Sequence, residues 1–188
     1  MNLIIFGPPG AGKGTQSKFI VKKFKMFQLS TGEFLRNEIA NNTTVGKKIS
    51  SIINSGSLVS DDIVSNLIEK VISKSDYHNN IIFDGYPRSL NQAKNLDNLL
   101  KKYNQKISLV LKLSVSLETI KKRISERRNL EKRADDNEEI AVKRYQTYEK
   151  STEPVIEFYK KLNLLKVVDG ERAIDQINKE ISDIIALI

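Results

Sequence analysis

Apolar residues along this chain follow two spacings. Five short, mostly apolar runs, Leu3–Phe6, Met26–Leu29, Ile81–Phe83, Leu109–Leu113 and Leu165–Val168, are separated by stretches in which apolar residues recur every three or four positions. Short apolar runs of this kind predict strands buried on both faces, and their alternation with helices predicts a parallel sheet covered on either side. Helical spacing appears in Phe19, Ile20 and Phe24 after the first run, and in Ile63, Val64, Leu67, Ile68, Val71 and Ile72 before the third. It returns in a closing segment with Ile174, Ile177, Ile181, Ile184 and Ile185. The expected fold class is α/β, with a five-stranded parallel sheet in a three-layer arrangement.

The polar positions mark the ends of these elements. Ser30-Thr31-Gly32-Glu33 reads as a capping box opening a helix with Phe34, Leu35 and Ile39, which breaks at Asn41–Thr44. A short helix is expected from Gly46 to Asn54, and Ser60-Asp61-Asp62 caps the next one. Residues 30–59 are thus too long and too helical for a plain connection, and predict a small helical subdomain suited to holding a second ligand. Later, Ser116 to Arg128 reads as a helix followed by a short polar segment through Asp136. A long helix then carries Arg144, and Pro154 interrupts it and opens another through Leu162.

Candidate chemistry collects where the apolar runs stop, at Gly7, Ser30, Asp84-Gly85, Ser114 and Asp169-Gly170. In open α/β sheets ligands bind outside the carboxyl ends of the strands, so distance along the chain does not keep these residues apart. Gly7 to Lys13 fits G-x-x-x-x-G-K between a predicted strand and helix, the loop that wraps a polyphosphate. Pro8 and Pro9 have no amide hydrogen, so the anion-binding N–H groups must come from Gly10, Ala11, Gly12, Lys13, Gly14 and Thr15. The Lys13 ammonium adds a point charge on the phosphates. Asp84 ends a buried run and could orient magnesium, directly or through water. In Gly85-Tyr86-Pro87-Arg88 the glycine allows close approach and the proline fixes the turn, so Arg88 projects from a rigid support.

Composition adds a few constraints. The 188 residues are enough for one domain with small subdomains, and 39% hydrophobic with 29% charged residues is ordinary globular usage. Without cysteine there are no disulfides and no thiolate zinc site, which agrees with an intracellular setting. No stretch is long enough for a signal peptide or a membrane span. The net charge of +8 fits a polyanionic small molecule; the lysines are scattered rather than clustered with aromatics, which argues against a nucleic-acid partner. Only eight of the 31 basic residues are arginine, and four of these (Arg123, Arg127, Arg128 and Arg133) fall within eleven positions. Arginine's planar fork grips phosphate bidentately, so this cluster points to phosphate binding.

With these pieces placed, the chain resembles adenylate kinases of the short-lid form along its full length. The motifs that carry the resemblance are Gly7–Thr15, Leu29–Glu33, Asp84–Arg88, Arg123 with Arg127, Arg133–Asp136 and Lys143-Arg144. The resemblance implies phosphoryl transfer from Mg-ATP to AMP by a cytoplasmic monomer, with no membrane or nucleic-acid partner and no zinc. It divides the chain into a core (1–29, 60–126 and 137–188), an NMP-binding subdomain (30–59) and a short lid (127–136).

It assigns ATP to Gly10–Thr15, Arg123, Arg127 and the backbone around Arg172. AMP falls to Thr31, Arg36, Ser57, Leu58, Val59, Gly85, Tyr86, Pro87, Arg88 and Gln92, with Arg133 and Arg144 reaching the transferring phosphates. Lys13, Arg88, Arg127, Arg133 and Arg144 then form the catalytic set, with Asp84 holding magnesium through water. Gly14 stands before Thr15 where the general phosphate-loop pattern has a hydroxyl, which favours that indirect coordination. Tyr86 replaces the more usual phenylalanine, and its hydroxyl should be tolerated if it reaches solvent or a partner. A UMP/CMP kinase on the same scaffold is the alternative enzyme, which Thr31 and Gln92 disfavour. A nucleotide-dependent binding protein is the alternative from another class; the Asn-Lys-x-Asp motif of a GTPase switch does not occur.

Overall fold

The five apolar runs become five parallel strands, of which the inner three are buried on both faces as expected; the edge runs Met26–Leu29 and Leu165–Val168 are covered only in part, with Val167 57% exposed. The computed structural model describes residues 1–131 and 136–188 of the chain. Strands β1 (Asn2–Phe6), β2 (Phe27–Ser30), β3 (Ile81–Asp84), β4 (Ile107–Ser114) and β5 (Leu165–Asp169) form one parallel sheet in the order β2-β3-β1-β4-β5. Side chains alternate across the pleat, so neighbours in sequence enter different cores. Ile4, Phe6, Ile81, Phe83 and Val110 pack in one core, while Leu3, Ile5, Ile82, Leu109 and Leu111 pack in the other. Helices α4 (Asp61–Ile72), α5 (Leu90–Lys102) and α8 (Glu153–Lys161) supply the first core, and α1 (Lys13–Phe24) and α9 (Ile174–Ile185) the second. This is the three-layer α/β architecture expected from the sequence.

Two further helix pairs flank these layers, and Leu35 and Ile49 of the first are buried in the same core as Ile4 and Phe83. Helices α2 (Thr31–Ala40) and α3 (Thr44–Asn54) form a hairpin in the predicted insertion. Helices α6 (Leu117–Glu131) and α7 (Glu138–Ser151) pack together before α8. Helix α6 continues three residues beyond the expected stop at Arg128. The sequence there has no glycine or proline to end it, so polarity alone is not a stop signal. Helix α3 starts at Thr44 rather than Gly46, because the Thr43 hydroxyl accepts from the Gly46 amide at 2.9 Å and caps it. Ser30 caps α2 by accepting from the Glu33 amide at 3.4 Å, whereas Ser60 makes no side-chain cap and α4 relies on Asp61 and Asp62 in its first turn. A single tight turn, Ser75–Tyr77, precedes β3.

Sheet order decides where the chemistry meets. The β1 and β3 strands are neighbours, with Ile5 opposite Asp84, so the turn after β1 lies beside the end of β3. On the other side, β2 ends with Ser30 opposite Asp84, which brings the start of α2 to the same edge.

Candidate active site

The turn from β1 into α1 contains Gly12 as the helix N-cap, with φ 92° in the left-handed region. A side chain there would strain the backbone, and the glycine lets the loop wrap tightly onto the helix N-terminus. Lys13 folds back over the loop, its Nζ donating to the carbonyls of Gly7 at 2.7 Å and Pro8 at 3.1 Å. Burial pushes the ammonium down to about 8. Asp84 opposes that shift, while Arg88, Arg144 and Arg127 add to it.

The end of β3 forms the facing wall. Asp84 is buried, and its Oδ2 accepts from Gln28 Nε2 on β2 at 2.9 Å. Thr31 donates its hydroxyl to the carbonyl of Gly85 at 3.0 Å. Arg88 Nε donates to that same carbonyl at 2.6 Å, so the turn itself aims the guanidinium. Burial lowers Arg88 to about 10, with Arg144 adding to the shift, Asp84 opposing it and Arg36 contributing in the same direction as Arg144. Tyr86 is 1% exposed, and its hydroxyl donates to the Gln92 carbonyl at 3.2 Å. The hydroxyl that replaces a plain phenyl edge thus finds its partner.

One cleft joins these pieces. It is lined by Lys13, Thr31, Arg36, Ser57, Leu58, Val59, Gly85, Tyr86, Pro87, Arg88, Gln92 and Arg144, among others. That set contains every residue expected on the AMP side except Arg133, which lies outside the described residues. The other candidates are not among the residues that line this cleft. Arg123 ties the loop to the end of β5, donating to the carbonyls of Ala11 at 3.5 Å and Gly170 at 2.8 Å. Arg127 grips Asp136 bidentately, Nε to Oδ2 at 2.7 Å and Nη2 to Oδ1 at 2.5 Å. Arg172 turns its guanidinium to Glu180 and Asp169, leaving its backbone at the end of β5.

Three contributors carried no role in the sequence reading: Gln28, Asp61 and Asp136. Gln28 holds Asp84, Asp61 Oδ1 accepts from Gln92 Nε2 at 2.5 Å, and Asp136 holds Arg127. Asp61 was visible only as a helix-start residue, and Asp136 only as the end of a motif. Tyr148 and Thr152, from α7 and the turn after it, also line the cleft.

Comparison with known proteins points to one family. The family model for adenylate kinase matches residues 5–164. The chain is similar to an adenylate kinase of Pelagibacter ubique, 44% identical over 98% of this chain and 99% of that one. It is also similar to adenylate kinases of Xanthomonas campestris pv. campestris (41% identity, 96% and 97% coverage) and Bartonella quintana (40%, 96% and 97%).

Proposed function

The chain belongs to the adenylate kinase family, and from that membership we propose that it transfers the γ-phosphoryl group of Mg-ATP reversibly to AMP, giving two ADP. It is an enzyme of the nucleoside monophosphate kinase class, and the reaction serves adenine nucleotide homeostasis and AMP salvage. One observation carries the reading: Lys13, Arg36, Arg88 and Arg144 line one cleft at the carboxyl end of the sheet. Such a gathering of cationic side chains suits two polyanions brought end to end.

In this reading the loop Gly10–Thr15 holds ATP phosphates, with Arg123, Arg127 and the backbone at Arg172 on the same side. Thr31, Arg36, Ser57, Leu58, Val59, Gly85, Tyr86, Pro87 and Gln92 hold AMP. Lys13, Arg88, Arg127, Arg133 and Arg144 face the transferring group. No general base is required, because an AMP phosphate is already largely dianionic near neutral pH. The protein's task is to align attacking and leaving oxygens and to spread the charge of a loose transition state. Arg88 is prepared for it, since its anchor on the Gly85 carbonyl leaves little rotamer freedom to lose.

Asp84 fits magnesium. It is a buried carboxylate beside the loop with one oxygen fixed by Gln28, and a single carboxylate suits an ion that keeps its waters and takes substrate phosphates. Magnesium, when bound with ATP, offsets charge on the phosphate oxygens, and Asp84 would hold it through water. We further propose that residues 30–59 and 127–136 close over the core (1–29, 60–126 and 137–188) to exclude water, which would otherwise compete for the phosphoryl group. Action as a monomer is proposed with the reaction, as the family resemblance implies. Free nucleotides as substrates are consistent with a cytoplasmic enzyme.

The test is ADP formation from Mg-ATP with AMP, CMP, UMP or GMP as second substrate. Strong turnover with AMP and little with the others is expected. Turnover mainly with CMP or UMP would overturn the substrate, and none with any would overturn the reaction.

A further inference from the structure

Gln92 is 4% exposed, lines the cleft, and has both ends of its side-chain amide engaged by the protein. Its Oε1 accepts from the Arg88 backbone amide at 2.7 Å. Its Nε2 donates to Asp61 Oδ1, at the first turn of α4, at 2.5 Å. The two partners fix which way round the amide lies. A carboxylate can only accept and a backbone N–H can only donate, so a reversed amide would set donor against donor and acceptor against acceptor. The Ser89 hydroxyl caps the Gln92 backbone amide at 3.2 Å, so the residue is held at its backbone as well.

We infer that Asp61 is a specificity-determining residue: by fixing the orientation of the Gln92 amide, it makes the acceptor cleft prefer a 6-aminopurine over a 6-oxopurine. An amide has two hydrogens and two lone pairs. Asp61 takes one hydrogen and Arg88 supplies one lone pair's partner, leaving one donor and one acceptor on a residue that lines the cleft. In adenine the exocyclic nitrogen donates and the adjacent ring nitrogen accepts, whereas in hypoxanthine both roles are reversed. A fixed amide therefore satisfies one base and opposes the other, while an amide free to turn satisfies both. Asp61 does not touch the base in this account; it acts through Gln92. The inference rests on the reading that the cleft takes a purine monophosphate as acceptor.

AMP and IMP form the probe pair, since they differ only at that edge of the ring. The measurement is kcat/KM for each, at saturating Mg-ATP, in the wild type, Asp61→Asn and Asp61→Ala. The asparagine side chain can pair with the Gln92 amide in either orientation, and the alanine side chain pairs with neither. Both variants should narrow the AMP-to-IMP ratio by roughly tenfold to a hundredfold, the worth of one hydrogen bond to a charged group. KM for AMP should carry most of the change, with kcat and the KM for ATP held, because the base is remote from the reacting phosphates. Asp62→Asn removes the neighbouring charge of the same first turn and should leave the ratio unaltered. An unchanged ratio in folded Asp61 variants, or AMP and IMP falling together, would overturn the role of Asp61 and leave the AMP kinase standing. A wild type that uses IMP as readily as AMP, or neither, would overturn the acceptor reading itself.

Discussion

Lys13 shows what the loop does to a single residue. An ammonium in water titrates near 10.5, but burial beside several guanidiniums brings this one to about 8. Below about pH 8 it is protonated in both folded and unfolded chains, and its linkage contribution to stability does not vary. Between about 8 and 10.5 the unfolded chain holds a proton that the folded chain has shed. Stability of the nucleotide-free protein should therefore rise with pH across that window. Function should move the other way, because only the ammonium attracts phosphate. The expected result is a fall in kcat/KM for Mg-ATP above about pH 8, with kcat less affected because bound phosphates favour the charged form. A profile flat to pH 9.5 would contradict this account of Lys13. At this scale the sequence exposed the principal groups and hid their supports. The loop, Arg88 and Asp84 stand in recognisable local patterns, but Gln28 and Asp61 act on partners 56 and 31 positions away. No local pattern can announce a contact made by tertiary packing.

Some chemical boundaries were legible: Ser30 caps α2 by accepting from the Glu33 amide, and Pro154 sits in the first turn of α8 where no amide hydrogen is needed. Others were not, since the helix that Thr43 caps was expected to start only at Gly46, and Ser60, expected to cap α4, makes no side-chain cap bond. Boundaries set by pairing were less visible: β4 starts at Ile107, ahead of its apolar run, because Ile107 pairs with Asn2 of β1. The α2–α3 hairpin has a constraint of its own. A Cβ on Gly46 would lie 2.0 Å from the Glu38 carbonyl oxygen, which is backbone and cannot turn aside. Gly46→Ala should therefore force the two helices apart and cost about 1–3 kcal/mol, as overpacking does elsewhere. Since this hairpin forms one side of the cleft through Arg36 and Ile53, KM for AMP should rise several-fold more than KM for ATP. Thermal unfolding and the two KM values measure both effects; a Gly46→Ala protein with unchanged melting and unchanged KM would show that the hairpin has room to spare.

At the scale of the whole molecule, the order of the strands was the part the sequence kept back. Five apolar runs of similar character specify a parallel sheet, but nothing local says that β3 lies between β2 and β1. That order turns separate motifs into one site, because it sets the ends of β1, β2 and β3 side by side with Asp84 in the middle. The cation cluster so assembled faces a cleft bounded by the hairpin on one side and by α7 on the other, so a ligand that spans it must engage both. This leads to a test of the proposed division into core, 30–59 and 127–136. Two adenosines joined through five phosphates should fill both nucleotide sites at once and raise the melting temperature according to their affinity. If closure is built in, hydrogen exchange should slow in the backbone of 30–59 and 127–136 as well as in the loop Gly7–Thr15. Inorganic triphosphate, which can reach the loop but has no base or ribose to draw in the hairpin, should protect the loop alone. Equal protection patterns for the two ligands would mean that binding at the loop does not depend on the surrounding elements moving, and the three-part division would lose its mechanical meaning.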